Sequence, residues 1–319
     1  MSVMMKKLNI LVTGCGGDIG QSIGKILTEF EEVQNLYGFD ITEKSASQFI
    51  YPNFQKGLPI KHPEYFLNLK AFVNLKRIDI IIPMAEPELR YLASNGPLYS
   101  FEGAVMVHAN KQALQIGFDK LATSDFLVSN DLPSPRTFEA SKYKQMDRFP
   151  FILKSRSGSG GKGLYKIDEK ADIDYWIKKI DPNEFIVQEL VGSSSEEYTC
   201  GVFRSKEREV RTIIFRRELT GGYSGYGEKV ENSVIDDLIK NIATKINLRG
   251  SVNIQLRLQN GSPYVFEINP RFSSTVRFRS IFGFNDVIWS IQDALDLPIS
   301  KYESRRFSKF YKGFNEFVC

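Results

Sequence analysis

Unbroken apolar runs mark the strands of the first third of this chain, whereas strict alternation of apolar and polar positions takes over further on. Residues 8–13 form a compact apolar run that leads into a glycine cluster, and helical spacing follows over 19–30. Residues 36–40 (LYGFD) read as a second short strand ending in an acid, so the chain opens with a strand–helix–strand unit. The pattern predicts a helix over 65–75, a buried parallel strand over 78–83 that is apolar throughout and stopped by proline, and another strand over 105–108. Together these predict a small doubly wound α/β domain over residues 1–110.

Beyond it, residues 111–129 read as one or two helices, and DLPSPRTF (131–138) as a proline-punctuated connector. A strand (150–155), a glycine loop (157–163), a strand (164–167), a helix (171–180) and a strand (184–190) follow. Residues 197–203 and 209–219 alternate as antiparallel strands do. A helix over 231–247 precedes two strands, 251–258 and 263–270, joined by a turn at Asn260-Gly261. The basic, aromatic tail from Lys301 fits no pattern. The spans predict a lobe over 111–190 and a second over 191–319.

Composition narrows the function classes. The 319 residues suffice for two or three lobes. A net charge of +4, with basic and acidic residues interleaved, is too mild for a nucleic-acid partner. Three distant cysteines, Cys15, Cys200 and Cys319, support neither a disulfide framework nor a zinc site, and point to a reducing compartment. With only His62 and His108, a histidine-rich metal site or a Ser/His/Asp triad is disfavoured. No apolar stretch approaches the roughly 20 residues of a membrane span. The expectation is a cytoplasmic protein with no membrane or nucleic-acid partner; a homodimer is left open.

Three clusters carry candidate chemistry. The first, Thr13-Gly14-Cys15-Gly16-Gly17-Asp18-Ile19-Gly20, lies between a strand and a helix, with Asp40 twenty residues beyond Gly20. It reads either as an NAD(P)-binding turn of a short-chain dehydrogenase or epimerase, or as a turn that packs the first helix or faces another ligand. Tyr175 and Lys179 have the Tyr-x-x-x-Lys spacing of such dehydrogenases, although ordinary amphipathicity accounts for both. The second cluster is Lys154 followed by Ser157-Gly158-Ser159-Gly160-Gly161-Lys162-Gly163. It is not a Walker loop, because Gly163 stands where Ser or Thr is required. It reads as a glycine flap whose backbone N–H groups could cover a triphosphate, or as a plain hairpin. The third is the hairpin carrying Gln255 on one strand and Glu267, Asn269 and Arg271 on the other. Glu267 and Asn269, two apart, leave one face of a strand, and Gln255 can reach it; three oxygens there suit Mg²⁺ (or Mn²⁺). Arg271 adds a fixed cationic fork for a phosphoryl oxygen.

In this order the segments resemble the ATP-grasp superfamily, in particular its short carbamoyl-phosphate-synthetase-like proteins. FILKSRSGSGGKG (151–163) resembles the glycine loop, FIVQELV (185–191) the adenine hinge, and SSSEEYTCGVF (193–203) the ribose segment. VNIQLRL…YVFEINPRFSS (252–274) resembles the metal-binding hairpin, Asp119-Lys120 the helix that opens the grasp, and IDIIIPMAEPEL (78–89) part of the Rossmann-like pre-grasp domain. The resemblance implies a Rossmann-like domain followed by a two-lobed ATP-grasp fold, and a ligase that uses Mg-ATP to join a carboxylate to an amine through an acyl phosphate. It implies phosphate contacts from Lys120 and Lys154, with Gly160, Gly161 and the weaker candidate Lys162 in the flap. Gln188, Glu189, Leu190 and Val191 would frame the adenine, and Glu197, ahead of Glu196, would take the ribose. Gln255, Glu267 and Asn269 would hold the metal, and Arg271 would stabilise the transferring group; Lys111 is a weaker candidate. Many members have an acid where this chain has Gln255, which weakens a second metal. One grasp module is visible and no glutaminase segment, so carbamoyl phosphate synthesis by this chain alone is doubtful. An ATP-binding protein without ligase chemistry is the other alternative. Residues 221–230 and 272–284 are expected to line the acceptor pocket, where Arg277 and Arg279 would meet either a substrate carboxylate or surface acids.

Overall fold

A computed structural model describes residues 7–145, 149–158 and 163–313 of the chain. Three sheets organise them. The first contains β1 (Leu8–Thr13), β2 (Val33–Asp40), β3 (Asn53–Lys56), β4 (Ile80–Pro83), β5 (Ser100–Phe101) and β6 (Ala104–Met106), in the order β3-β2-β1-β4-β6-β5. All pair in parallel except β5, which turns back on β6. Ile10, Leu11, Val12, Ile80, Ile81 and Ile82 are wholly buried, because helices cover both faces and every position of a central parallel strand meets apolar neighbours. Strand order reverses between β1 and β4, and it is outside the carboxyl ends at such a point that open α/β sheets bind ligands.

Helix α1 (Asp18–Leu27) presents Ile19, Ile23, Ile26 and Leu27 at helical spacing to the core. The remaining helices are α2 (Tyr65–Lys76), α3 (Glu86–Asn95), α4 (Lys111–Gly117), α5 (Lys120–Ser129), α6 (Lys170–Trp176), α7 (Ser233–Lys245), α8 (Val276–Ile281) and α9 (Asp286–Ala294). Ile23 and Leu27 pack with Val276 of α8 and Ile291 of α9. Each of these side chains, fully buried, contributes about 1.5–3 kcal/mol. The first domain therefore shares a core with the C-terminal part of the chain rather than hanging from a linker.

The second sheet, β7 (Thr137–Glu139), β8 (Phe151–Ser155), β9 (Leu164–Ile167) and β10 (Phe185–Glu189), has the order β7-β10-β8-β9. Phe151, Leu153 and Val187 pack with Ile173 of α6, which leaves Ile152, Lys154 and Gln188 on the opposite face. The third sheet holds β11 (Glu197–Arg204), β12 (Val210–Thr220), β13 (Tyr223–Lys229), β14 (Gly250–Gln259), β15 (Ser262–Asn269) and β16 (Lys309–Tyr311), in the order β15-β14-β11-β12-β13-β16. Tyr198, Cys200, Val202, Ile254 and Leu256 pack against Ile235, Leu238, Ile239 and Ile242 of α7. Side chains alternate along a strand, so Glu197, Thr199, Asn253, Gln255 and Arg257 emerge on the other face.

Most strands fall where the pattern places them, and Asn260 and Gly261 both have the positive φ of a tight hairpin turn. Helices α3, α8 and α9 are not anticipated by the pattern, and the helix over 171–180 ends at Trp176. Residues 221–230 are not merely a pocket wall: Tyr223–Lys229 is strand β13. The unplaced tail supplies β16, whose Phe310 is buried against Phe215 and Phe278. Among the described residues, no helix is long and apolar enough to cross a membrane.

Candidate functional site

The free faces of the second and third sheets, and the carboxyl ends of β1 and β4, open on one cleft of about 620 Å³. It falls within the roughly 300–1,000 Å³ range of ligand pockets.

At one end stand Ile152, Gln188, Glu189, Leu190, Val191 and Phe266. Gln188 is buried and donates from Nε2 to Thr137 Oγ1 at 3.0 Å, while that hydroxyl donates to the Pro135 carbonyl at 3.0 Å. The hydroxyl proton is thus committed and one of the two Gln188 Nε2 hydrogens is used, which orients the amide oxygen as an acceptor for a ligand. The Glu189 and Leu190 N–H groups are spent on the carbonyls of Arg136 and Pro150, at 2.8 and 3.2 Å.

In the middle of the cleft, Lys154 is buried, with Nζ 3.4 Å from the Phe266 carbonyl. Burial pulls its ammonium down to about 8; the Glu267 carboxylate opposes this, and the Lys120 and Arg257 cations add to it. Lys120 Nζ lies 3.6 Å from Glu267 Oε1 and donates to the Gly158 carbonyl at 2.8 Å. Arg271 donates to the Phe272 carbonyl at 2.9 Å and feels the carboxylates of Glu267, Glu86 and Asp18. On the hairpin, Gln255 stands opposite Glu267 and Asn253 opposite Asn269, and all four line the cleft. Gly160, Gly161 and Lys162 lie outside the described residues.

Glu197 lines the cleft as a clamped group. Its Oε1 accepts from Arg217 Nε and Nη2 at 3.1 and 2.8 Å, and its Oε2 accepts from Arg257 Nε and Nη2 at 2.9 and 2.8 Å. Arg217 Nη2 also donates to Gln255 Oε1 at 2.9 Å. Glu196 instead accepts from the Tyr198 hydroxyl at 2.7 Å and does not line the cleft, nor does the exposed Lys111.

At the far end, Gly14, Gly17, Asp18, Ile19 and Gly20 face Met84, Ala85 and Glu86 across the strand-order reversal. Gly14 has φ of +65°, and a Cβ there would lie 2.8 Å from the Ala85 nitrogen, so the two strand ends can approach this closely only with glycine. Asp40 Oδ2 accepts from the Gly16 N–H at 2.7 Å, which spends the acid on the turn itself. Tyr175 and Lys179 sit together on the surface around α6, away from the cleft. These placements remove the basis of the dehydrogenase reading.

Neither Arg277 nor Arg279 lines the cleft. Arg277 pairs with Glu29, and Arg279 is wholly buried against Asp286 at 3.2 Å. Arg279 also donates to Asn253 Oδ1, which accepts from Thr199 Oγ1 at 2.8 Å. Sequence reasoning missed Arg217, Arg257, Asn253 and Glu86. The two-residue alternation that singled out Glu267 and Asn269 would have found Asn253 and Arg257 beside Gln255; nothing local marks Arg217 or Glu86.

The fold and this cleft define an ATP-grasp protein. Residues 118–275 match the ATP-grasp domain family, and the chain carries that domain behind a Rossmann-like one. It is 22% identical over 251 residues to a tyramine–L-glutamate ligase of Methanocaldococcus jannaschii, covering 79% of this chain and 74% of that protein. It is 24% identical over 180 residues to the carbamoyl phosphate synthase large chain of Methanosarcina barkeri, covering 52% of this chain but only 42% of the relative. Among solved structures, an ADP complex of N5-carboxyaminoimidazole ribonucleotide synthetase superposes with a TM-score of 0.73 at 17% identity, covering 95% of this chain and 81% of that one. A biotin carboxylase–β-γ-ATP complex from Campylobacter jejuni gives 0.71 at 12% identity, covering 92% and 72%.

Proposed function

We propose that this protein is an ATP-dependent carboxylate–amine ligase that works through an acyl phosphate. The observation that carries the reading is the convergence of Lys120, Lys154 and Arg271 on Glu267, midway between an apolar slot and the mouth of the parallel sheet. Gln188, Glu189, Leu190 and Val191 would frame the adenine, with the Gln188 oxygen accepting from its amino group. Lys120 and Lys154 would bind the phosphates, together with the flap residues Gly160, Gly161 and Lys162. Glu197, held by two guanidinium groups, would border the ribose.

The donor chemistry fits a hard divalent cation: Glu267 and Asn269, with Gln255 beside them, offer carboxylate and amide oxygens, as Mg²⁺ or Mn²⁺ prefers. When bound, that ion would neutralise phosphate charge. A substrate carboxylate oxygen attacks the γ-phosphorus and ADP leaves, which gives an acyl phosphate. An amine then attacks the carbonyl carbon, inorganic phosphate leaves, and the nitrogen loses a proton, which gives an amide. The first step needs positioning and cationic stabilisation more than a strong base, and Lys120, Lys154 and Arg271 supply both. The name of the similar tyramine–L-glutamate ligase, an amine joined to a carboxylic acid, supports this chemistry.

The test is ADP release with pools of carboxylates and amines, with hydroxylamine added to trap acyl phosphate as hydroxamate. Carboxylate-dependent ADP and hydroxamate are expected. ATP binding with neither product across broad pools would overturn the ligase reading in favour of an ATP-binding protein.

A further inference from the structure

The charge pattern on the floor of the cleft bears on how many cations accompany the nucleotide. Phosphoryl transfer is served either by two metal ions or by one ion helped by fixed protein cations. Such ions draw anionic oxygens from one or two carboxylates and from the nucleotide's phosphates, so a second ion here would depend on the remaining hairpin oxygen. Among the described residues, no three His, Cys, Asp or Glu side chains cluster so as to hold a metal. Of the three hairpin donors, only Glu267 carries charge, and Lys120 already stands 3.6 Å from it.

Gln255 is further compromised. A guanidinium can only donate, so the Gln255 atom 2.9 Å from Arg217 Nη2 is its oxygen. A cation at that oxygen would sit next to a fixed positive charge. Arg217 has little freedom to retreat, because its side chain is only 7% exposed and two of its nitrogens hold Glu197. Glu197 in turn is gripped from the other side by Arg257. The cleft is lined by five cations, Lys120, Lys154, Arg217, Arg257 and Arg271, and five carboxylates, Asp18, Glu86, Glu189, Glu197 and Glu267, but on the third sheet beside Gln255 the carboxylate of Glu197 is already shared between Arg217 and Arg257.

We infer that this protein takes one divalent cation with its nucleotide, at Glu267 and Asn269, and that Arg217, anchored on Glu197, occupies through Gln255 the place a second cation would need. Gln255 is then a partner of Arg217 and no metal ligand. Arg217 is a positioning residue. The inference rests on the ATP reading above and deepens it.

Counting Mn²⁺ tests it without turnover. The full chain is titrated with Mn²⁺ in the presence of a saturating non-hydrolysable ATP analogue, and free ion is read by electron paramagnetic resonance. One Mn²⁺ per chain is expected. Two would overturn the inference and leave the ATP reading standing, whereas no nucleotide-dependent Mn²⁺ at all would defeat both. Arg217→Met should raise the count to two by freeing the Gln255 oxygen; a count still at one would remove Arg217 from the account. Should that variant not fold, Gln255→Leu decides: one Mn²⁺ held within about threefold of the wild-type affinity is expected, and a tenfold weakening or loss would overturn the inference.

Discussion

Arg217 on β12 and Glu197 on β11 form a buried pair across neighbouring strands, with Nη2 2.8 Å from Oε1 and both side chains at most 7% exposed. The pair sits one step beyond the cross-strand match of Tyr198 with Arg216, on the cleft side of the sheet. Removing one member of such a pair strands the other charge in a poorly solvated place. Glu197→Gln should therefore lower unfolding stability by about 3 kcal/mol, since breaking buried pairs costs roughly 3–5 kcal/mol. Urea denaturation of the two proteins measures it, and a change below about 1 kcal/mol would show that the floor is more hydrated than its geometry implies.

Lys154 should make nucleotide binding depend on pH. With its ammonium pulled down to about 8, the empty cleft holds a mixture of charged and neutral lysine near that pH. Phosphates favour the charged form, so binding takes up a proton, and affinity falls as pH rises through this range. Calorimetry at pH 8 in buffers of different ionisation enthalpy should show uptake of about half a proton per nucleotide. Binding without proton exchange would mean that Lys154 is already fully charged.

Folding stability responds to the same lysine with the opposite sign. The folded pKa is depressed below the ordinary lysine value of 10.5, so the unfolded chain binds more protons between about 8 and 10.5. The contribution of Lys154 to stability therefore rises across that interval. Comparing the pH dependence of urea midpoints for wild type and Lys154→Met isolates it.

Gln188 should set the choice of base. With one Nε2 hydrogen held by Thr137, the amide is oriented to present its oxygen as an acceptor, which suits the amino group of adenine and repels the carbonyl oxygen of guanine. ATP is expected to bind at least tenfold more tightly than GTP. Gln188→Leu should weaken ATP by up to about tenfold, the loss of one hydrogen bond, and narrow the preference. Competition against a fluorescent ATP analogue reads both.

Glu267→Gln removes the charged oxygen nearest Lys120 while keeping the side chain's shape. ADP release should fall by about 10²–10³, with thermal unfolding within a few degrees of wild type, as for loss of a group that acts on transition-state charge. Undiminished turnover would remove Glu267 from the site.

Much of this molecule is legible in one dimension, and the reason is local geometry. The period of two places Glu267 and Asn269 on one face of β15 whatever surrounds them, and Asn260-Gly261 turns its hairpin by its own torsional preferences. The apolar runs of β1 and β4 declare strands buried on both faces, and the glycine cluster after β1 declares a tight turn. What that turn serves is not local. Asp40 caps Gly16 only because β2 lies beside β1, and the turn faces the cleft only because α1 packs on α8 and α9. Arg277 and Arg279 are two residues apart with like side chains; one meets Glu29 at the surface and the other is sealed over Asp286. The chain by itself determined the elements, their faces and the set of charged groups on offer. Tertiary structure decided which charges meet, Glu197 with Arg217 and Arg217 with Gln255, because strand register and the shielding of charge from water arise only when distant segments pack.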